Sequence, residues 1–223
     1  MENLEIITTS DGSHSLRNKQ LNETYHSIHG AVQESMHVFI QNGLDYYCRN
    51  HQPKNISVFE VGFGTGLNAL LTLDYAVANK VAVRYHTLEA FPLDEEVWSR
   101  LNYGADRKEV EYFRALHVAE WDREVSLAPE FTLVKGKTLL QDADLKGVYD
   151  VIYFDAFAPS IQPELWSYAS LEKVTQLLGP EGVFVTYSAK GQLKRDLKVL
   201  GLSVETLVGP PGKNEMVRGT RPT

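Results

Sequence analysis

Short apolar runs alternate along this chain with longer stretches in which apolar residues recur at helical spacing. Residues 56–60 read as a buried strand, and 67–77 as a helix with Leu67, Leu70, Leu71, Tyr75 and Ala78 near one face. Residues 81–89 form the next expected strand, and 93–102 a helix with Asp94, Glu95 and Glu96 near its amino end, where the helix dipole favours acids. Further strands are expected at 131–134, at 149–155 (continuously apolar except for Asp150 before its terminal acid) and at 183–188, after the turn Gly179-Pro180-Glu181-Gly182. A helix over 190–200 and a strand over 203–208 close the series. Buried-type strands separated by helices predict an α/β fold: a mostly parallel sheet with helices on both faces, its ligand at the carboxyl ends of the strands. Glu60, Glu89 and Asp155 all stand at such ends. Any one of them alone reads equally well as a cap for the following helix.

The first of these acids precedes a tight loop, Gly62-Phe63-Gly64-Thr65-Gly66, which leads into Leu67-Asn68. A strand entering a Gly-x-Gly-x-Gly turn and then a helix lets a ligand approach the backbone closely. Such a turn also introduces dinucleotide sites, but that fingerprint wants a small residue where Leu67 stands, and a pyrophosphate would be repelled by Glu60. S-adenosylmethionine has no phosphate and carries a cationic sulfonium and amino group, so the acid favours it. A purely structural glycine turn stays open. Glu89 follows Glu60 by 29 positions, the distance of the next strand of a βαβ unit, where a carboxylate can accept from both ribose hydroxyls of either cofactor.

Asp155-Ala156-Phe157-Ala158-Pro159 places an acid, a flat ring and a stiff turn at one strand end. Methyl transfer to nitrogen needs an unprotonated amine, and a carboxylate in contact can take its proton and orient its lone pair. Asp155 is the candidate for that work. Phe157 can stack on a planar substrate or simply belong to the core.

The length of 223 residues and 43% hydrophobic content suit one domain with a substantial core, and no repeat or linker marks a second. Cys48 is the only cysteine, which leaves no internal disulfide and no cysteine cluster for zinc, as in a reducing cytosol. His14, His26, His29 and His37 lack ligand-spaced partners and read as surface or packing residues, so no metal is expected. The start, Met1-Glu2-Asn3-Leu4-Glu5, shows no basic region followed by an apolar run, and no apolar run of about 18 residues occurs anywhere, so a cytoplasmic protein with no membrane partner is expected. The net charge of −7 weighs against nucleic acid, yet residues 188–223 carry seven basic and three acidic side chains, a local +4 against −11 for the remainder.

The glycine loop from Glu60 to Asn68, Leu88-Glu89-Ala90-Phe91-Pro92-Leu93, and Phe154 to Pro159 with Pro163-Glu164-Leu165-Trp166 resemble the methyltransferase domain of the MnmC family. That family completes 5-methylaminomethyl-2-thiouridine at the tRNA wobble position. The likeness extends to Tyr25-His26-Ser27, Gly30, Glu34-Ser35 and Val38-Phe39-Ile40, and to Thr186-Tyr187-Ser188-Ala189-Lys190-Gly191 and Gly212-Lys213-Asn214-Glu215-Met216, so it covers nearly the whole chain. It implies a Rossmann-like class I S-adenosylmethionine-dependent methyltransferase: a domain over 46–223, with an amino-terminal extension over 1–45 packed on it. Cofactor contacts are then expected from Glu60, Gly62, Phe63, Gly64, Thr65, Gly66, Asn68, Glu89, Ala90, Phe91, Gly136, Lys137, Asp155 and Ala156. Asp155 would face the aminomethyl group, Phe157 and Pro159 the uridine, and Lys190, Arg195 and Lys213 the tRNA phosphates. Glu34 would help close the pocket, or lie on a helix surface. The family usually has Gly-Asp near the adenine, whereas here Lys137 follows Gly136. MnmC is often fused to a flavin-dependent oxidase, and this chain ends before one. The expectation is therefore an already aminomethylated substrate supplied by a separate enzyme, with no flavin. Two other readings stay in view: a small-molecule amine methyl- or aminopropyltransferase, and a silent tRNA- or cofactor-binding module.

Overall fold

The structure is a computed structural model that describes residues 3–104 and 106–223. Met1 and Glu2, part of the amino-terminal reading above, lie outside the described residues, as does Ala105.

The chain begins with a small antiparallel sheet, β1 (Leu4–Thr8), β2 (His14–Asn18) and β3 (Glu23–Thr24). A continuous helical run follows: α1 (Ala31–Ser35), a π-helical segment (Met36–Asp45) and α2 (Tyr46–His51). Within the wide segment, a Cβ on Gly43 would meet Val185 at 2.9 Å and Tyr153 at 3.4 Å, so glycine lets this helix press directly onto the main sheet. The sequence reading missed this run because its polar residues interrupt the apolar ones without a clear period.

The remaining elements are β4 (Asn55–Val61), α3 (Leu67–Asn79), β5 (Ala82–Leu88), α4 (Glu95–Trp98), α5 (Arg107–Val118), β6 (Glu124–Ala128), β7 (Phe131–Gly136), β8 (Tyr149–Phe154), α6 (Tyr168–Thr175), β9 (Leu178–Thr186), α7 (Gly191–Val199), β10 (Ser203–Val208) and β11 (Glu215–Thr220). The eight-stranded sheet has the order β10-β11-β9-β8-β4-β5-β7-β6. Its centre, β9 to β7, is parallel, and its edges are antiparallel through β11 on one side and β6 on the other. From β4 the chain moves outward through β5 to β7, then returns to β8 on the other flank. The crevice between β4 and β8 is thus the topological switch point, where such sheets bind ligands.

Alternation along the central strands builds two core layers. Val58, Val151, Tyr153, Val183 and Val185 face α3 and the π-helical segment. Phe59, Ile152, Phe154 and Phe184 face α6 and α7, against Leu171, Val174, Leu193 and Leu197. Each such fully buried side chain contributes about 1.5–3 kcal/mol. Asp150, the polar interruption in β8, is explained by its partners: it accepts from Tyr47 Oη at 2.9 Å and from the Ser57 amide at 2.7 Å.

Several expectations change. The expected helix over 93–102 shortens to the single turn α4. In α3 the expected Leu67 and Leu70 are buried, whereas Leu71 and Tyr75 are only partly so and Ala78 is exposed; Ala69, Thr72, Leu73 and Ala76 complete the buried face. Strand β9 starts at Leu178, and the expected turn residues form a wide irregularity where the β8–β9 pairing jumps from Tyr149↔Leu178 to Val151↔Val183. Helices α5 and α6 and strands β6 and β11 were not anticipated; α5 is amphipathic and mostly polar, with only Phe113 and Leu116 buried. No described helix is long and apolar enough to cross a membrane.

Candidate functional site

A cavity of about 1010 Å³ opens at the carboxyl ends of β4, β5 and β8, with the amino-terminal segment and the β10–β11 turn over it. On one wall runs the loop after β4. Gly62, Gly64 and Gly66 all take positive φ (97°, 51° and 75°), which a side chain would strain. A Cβ on Gly62 would also sit 2.6 Å from the Asp155 carbonyl oxygen, so the loop and the end of β8 can meet only through glycine.

The loop is fixed from behind. Thr65 Oγ1 lies 2.8 Å from His26 Nε2, and the Thr65 carbonyl lies 3.1 Å from His117 Nε2. Burial pushes both imidazoles down to about 4, so both are neutral near pH 7. His117 stacks on Trp98 with centroids 4.6 Å apart. The buried Lys135 donates to the Leu116 and His117 carbonyls, capping the end of α5. Gly66 itself is turned away from the cavity, towards Phe63 and His117, and does not reach the wall.

Glu89, just past β5, accepts from the Gly64 amide and from the Phe91 amide, each at 2.9 Å. One carboxylate oxygen serves each amide, and each keeps a lone pair for a ligand. Ala90 and the exposed Phe91 continue this wall.

Glu60 departs from its expected role. It is fully buried within β4, off the cavity wall, where Oε1 accepts from Asn68 Nδ2 at 3.1 Å and Oε2 from Thr87 Oγ1 at 2.7 Å. The strand pleat decides this: Glu60 shares the face of Val58, beneath α3, while Val61 takes the cavity side. Burial raises the Glu60 carboxyl to about 7. Asn68 connects it to the cavity, since Nδ2 also donates to Asp155 Oδ2 at 2.8 Å while the buried Oδ1 has no partner.

Asp155 reaches the wall. Burial, followed by the charges of Glu34 and Glu60, holds its carboxyl well above the usual range, against the opposing pull of Asn68 and Lys213. Its motif is braced from three directions: the Phe157 amide donates to Gln162 Oε1 at 3.1 Å, Trp166 Nε1 to the Phe157 carbonyl at 2.7 Å, and Tyr187 Oη to the Ala156 carbonyl at 2.8 Å. Phe157 lines the cavity and meets Tyr25 edge-on at 4.9 Å. Pro159 stiffens the turn but lies off the wall, where Ala158 and Ile161 take its place.

Other expected contacts also move. Gly136 and Lys137 are off the wall: Gly136 packs on Leu88 with no room for a Cβ and accepts from the Glu89 amide at 3.0 Å, while Lys137 is exposed. The residues after them, Thr138 to Gln141, line the cavity instead. Lys190 and Arg195 lie on exposed positions of α7 and its amino end, away from the cavity. Lys213 does reach the cavity, but its ammonium is 2.5 Å from Glu34 Oε1 and 3.8 Å from the Tyr187 ring centroid. The rest of the basic carboxyl-terminal excess is partly internal: Arg218 stacks on Tyr46 and pairs with Glu205, Lys194 pairs with Glu215, and Arg221 donates to the Thr175 carbonyl. The four amino-terminal histidines are scattered: His14 and His37 face backbone carbonyls, His26 faces Thr65, and His29 packs on Gly212.

Sequence reasoning passed over Tyr25, His26, Gln162 and Tyr187 as site residues. Membership of family-like segments was the only signal for Tyr25, His26 and Tyr187, and Gln162 had none, since an isolated Tyr or Gln carries no spacing rule. Five of the described lining residues are carboxylates (Glu23, Glu34, Glu89, Asp155 and Glu164), against one lysine and no arginine. Such a wall suits a cationic ligand and disfavours a pyrophosphate.

Residues 114–222 match the family model described as S-adenosyl-L-methionine-dependent methyltransferase. Over 207 residues the chain is 31% identical to the tRNA 5-methylaminomethyl-2-thiouridine biosynthesis bifunctional protein MnmC of Magnetococcus marinus, covering 87% of this chain and 30% of that protein. It is 27% identical over 221 residues to the protein of the same name from Pseudomonas savastanoi pv. phaseolicola, covering 92% and 33%. The chain therefore spans about a third of the length of these curated relatives. MnmC2 from Aquifex aeolicus superposes with a TM-score of 0.82 at 25% identity, covering 99% of this chain and 72% of that one. Spermidine synthase from Thermotoga maritima shares the fold, with a TM-score of 0.57 at 13% identity over 98% of this chain and 68% of that one. The fold is the Rossmann-like α/β architecture of S-adenosylmethionine-dependent methyltransferases.

Proposed function

We propose that this chain transfers a methyl group from S-adenosylmethionine to the aminomethyl nitrogen of 5-aminomethyl-(2-thio)uridine at the tRNA wobble position. The observation that carries the reading is Asp155: a half-buried carboxyl on the cavity wall, joined through Asn68 and Gly62 to the glycine loop.

The residues fit the methyl donor. The unpartnered Asn68 Oδ1, the free lone pairs of Glu89 and the acid-rich wall offer acceptors to a ligand with cationic and hydroxyl groups. When bound, S-adenosylmethionine supplies an electrophilic methyl carbon on its sulfonium. Glu89 would hold the ribose, and Gly62 to Thr65 the adjoining chain. Glu60 would act indirectly, by orienting Asn68. Asp155 would accept the proton of the amine and aim its lone pair; a carboxyl whose burial raises it above the ordinary range is a better proton acceptor than an ordinary one. Phe157, backed by Tyr25, would present a flat surface to the pyrimidine. The transfer is redox-neutral and requires neither flavin nor metal. The aminomethyl group would come from a separate enzyme, in the cytoplasm where tRNA is processed. We also divide the chain into a cover, 1–45, and a catalytic domain, 46–223; the helical run that crosses this boundary joins them.

The test is methyl transfer from labelled S-adenosylmethionine to tRNA from cells lacking the enzyme, followed by nucleoside mass analysis. A gain of one CH₂ on the aminomethyl wobble uridine is expected. A second reading, transfer to a small amine, draws support from the acidic cavity. Salt separates the two, because phosphate contacts weaken steeply with ionic strength and a single small amine does not.

A further inference from the structure

Lys213 and Glu34 meet inside the cavity, although 179 positions separate them. Glu34 is almost wholly buried on α1; its Oε2 accepts from the Ser27 amide at 2.6 Å and its Oε1 from the Lys213 ammonium. That ammonium also lies over the face of Tyr187, whose hydroxyl is tied to the residue after Asp155. A buried carboxylate, an aromatic face and a neighbouring acid form the chemistry that recognises a primary ammonium. Here the ammonium belongs to the protein itself.

We propose that Glu34 and Tyr187 form the subsite for the acceptor's ammonium, and that Lys213 occupies it in the free protein as a displaceable stand-in. The inference rests on the amine-methylation reading and adds the group that selects a cationic acceptor. Charge conservation supports it. If Lys213 swung out with nothing in its place, Glu34 would remain as an uncompensated buried anion, which costs several kcal/mol. An entering ammonium replaces it one for one.

Lys213 is placed to move. Its side chain is 34% exposed, against 7% for Glu34, and it sits on the Gly209–Asn214 turn between β10 and β11. That turn rests on the amino-terminal segment: Ser27 Oγ donates to the Pro211 carbonyl at 3.5 Å, and Gly212 packs so closely on His29 that a Cβ would overlap the ring. The amino-terminal segment and this turn thus meet over the cavity. The ammonium that reaches Glu34 lies beside the Asp155 turn, since the Tyr187 ring beneath it donates through its hydroxyl to the Ala156 carbonyl. Glu34 is a positioning residue, and Asp155 takes the proton.

Methylammonium chloride is the probe, with no tRNA and no methyl donor present. In the full chain, Lys213→Met empties the subsite while keeping an apolar stem. Methylammonium at several times its Kd should raise the Tm of this variant by about 2–4 °C beyond the shift of the wild type. Adding Glu34→Gln should remove that gain, and Lys213→Arg, which keeps a cation in place, should behave as wild type. Lys213→Met should also lower the KM for the aminomethylated acceptor. Equal shifts in Lys213→Met and wild type overturn the proposal, as does a gain that survives Glu34→Gln, or a raised KM with a smaller salt dependence, which would make Lys213 a phosphate contact. If methylammonium protects the variant but tRNA gains no methyl group, the subsite stands and the tRNA reading falls. Methylated tRNA without protection has the reverse meaning.

Discussion

The glycine-loop wall of the cavity comes from residues close in sequence, whereas a second part of the wall draws on Tyr25, Glu34, Asp155, Tyr187 and Lys213. On the first wall, strand, loop and helix follow each other within Glu60 to Asn68, and positive φ values require glycine wherever it occurs. On the second, each side chain arrives on a different element, held by contacts such as Glu34–Lys213 and Tyr25–Phe157. One wall is encoded by neighbouring residues, the other by topology. The donor, which is chemically constant, would meet the local wall. The acceptor would meet the assembled one.

The largest separation of the two walls is expected at Asp155. Asp155→Ala should lower methyl transfer by about 10²–10⁴-fold, the usual worth of a positioned acid or base, while donor affinity by calorimetry changes little. Near-normal turnover would remove Asp155 from the chemistry.

Gly62→Ala should break the distinction, because the loop and Asp155 meet there. A Cβ 2.6 Å from the Asp155 carbonyl, at a φ of 97°, should cost about 1–3 kcal/mol of stability and weaken donor binding and turnover together. Loss of only one of them in kinetic and calorimetric measurements would show that the walls are independent.

Glu60 supplies a pH test of the supporting layer. Its folded value of about 7 lies above the ordinary 4.5, so the folded state holds a proton that the unfolded chain releases between those values. Stability should therefore fall as pH rises from about 4.5 to 7, by about 1–3 kcal/mol from this group. Glu60→Gln should flatten that decline in urea titrations across the range. An unchanged slope would assign the titration elsewhere.

The smallest effect is expected outside both walls. Lys190→Ala with Arg195→Ala should weaken tRNA binding several-fold and reduce the salt slope by about 1 per lost phosphate contact, with donor affinity unchanged. An unaltered slope would place the tRNA surface away from α7.

Much of this arrangement was legible in advance. The central strands and the α3 and α7 helices follow from the apolar rhythm, and the Gly62–Gly66 loop from its glycines. Strand β11, between β10 and β9, escaped because its apolar residues, Met216 and Val217, are too few to set a period. The residues lining the cavity after β7 escaped for a different reason: the resemblance points to Gly136 and Lys137, yet the chain turns so that Thr138 to Gln141 form the wall. The partner of Lys213 is not legible either, because a local charge count cannot see a carboxylate 179 positions away.

The sequence by itself determined the parallel α/β framework, the glycine loop and the acids at or near the strand ends, since periodicity and backbone conformation are set by adjacent residues. Only the tertiary structure decided where those acids point and what they meet. The pleat turned Glu60 inward to Asn68 and Thr87, burial raised Asp155, and the packing of the β10–β11 turn on the amino-terminal segment put Lys213 against Glu34. A carboxylate's role depends on water, charge and hydrogen-bond donors within a few ångströms. Strand order and the packing of distant segments decide which neighbours supply them.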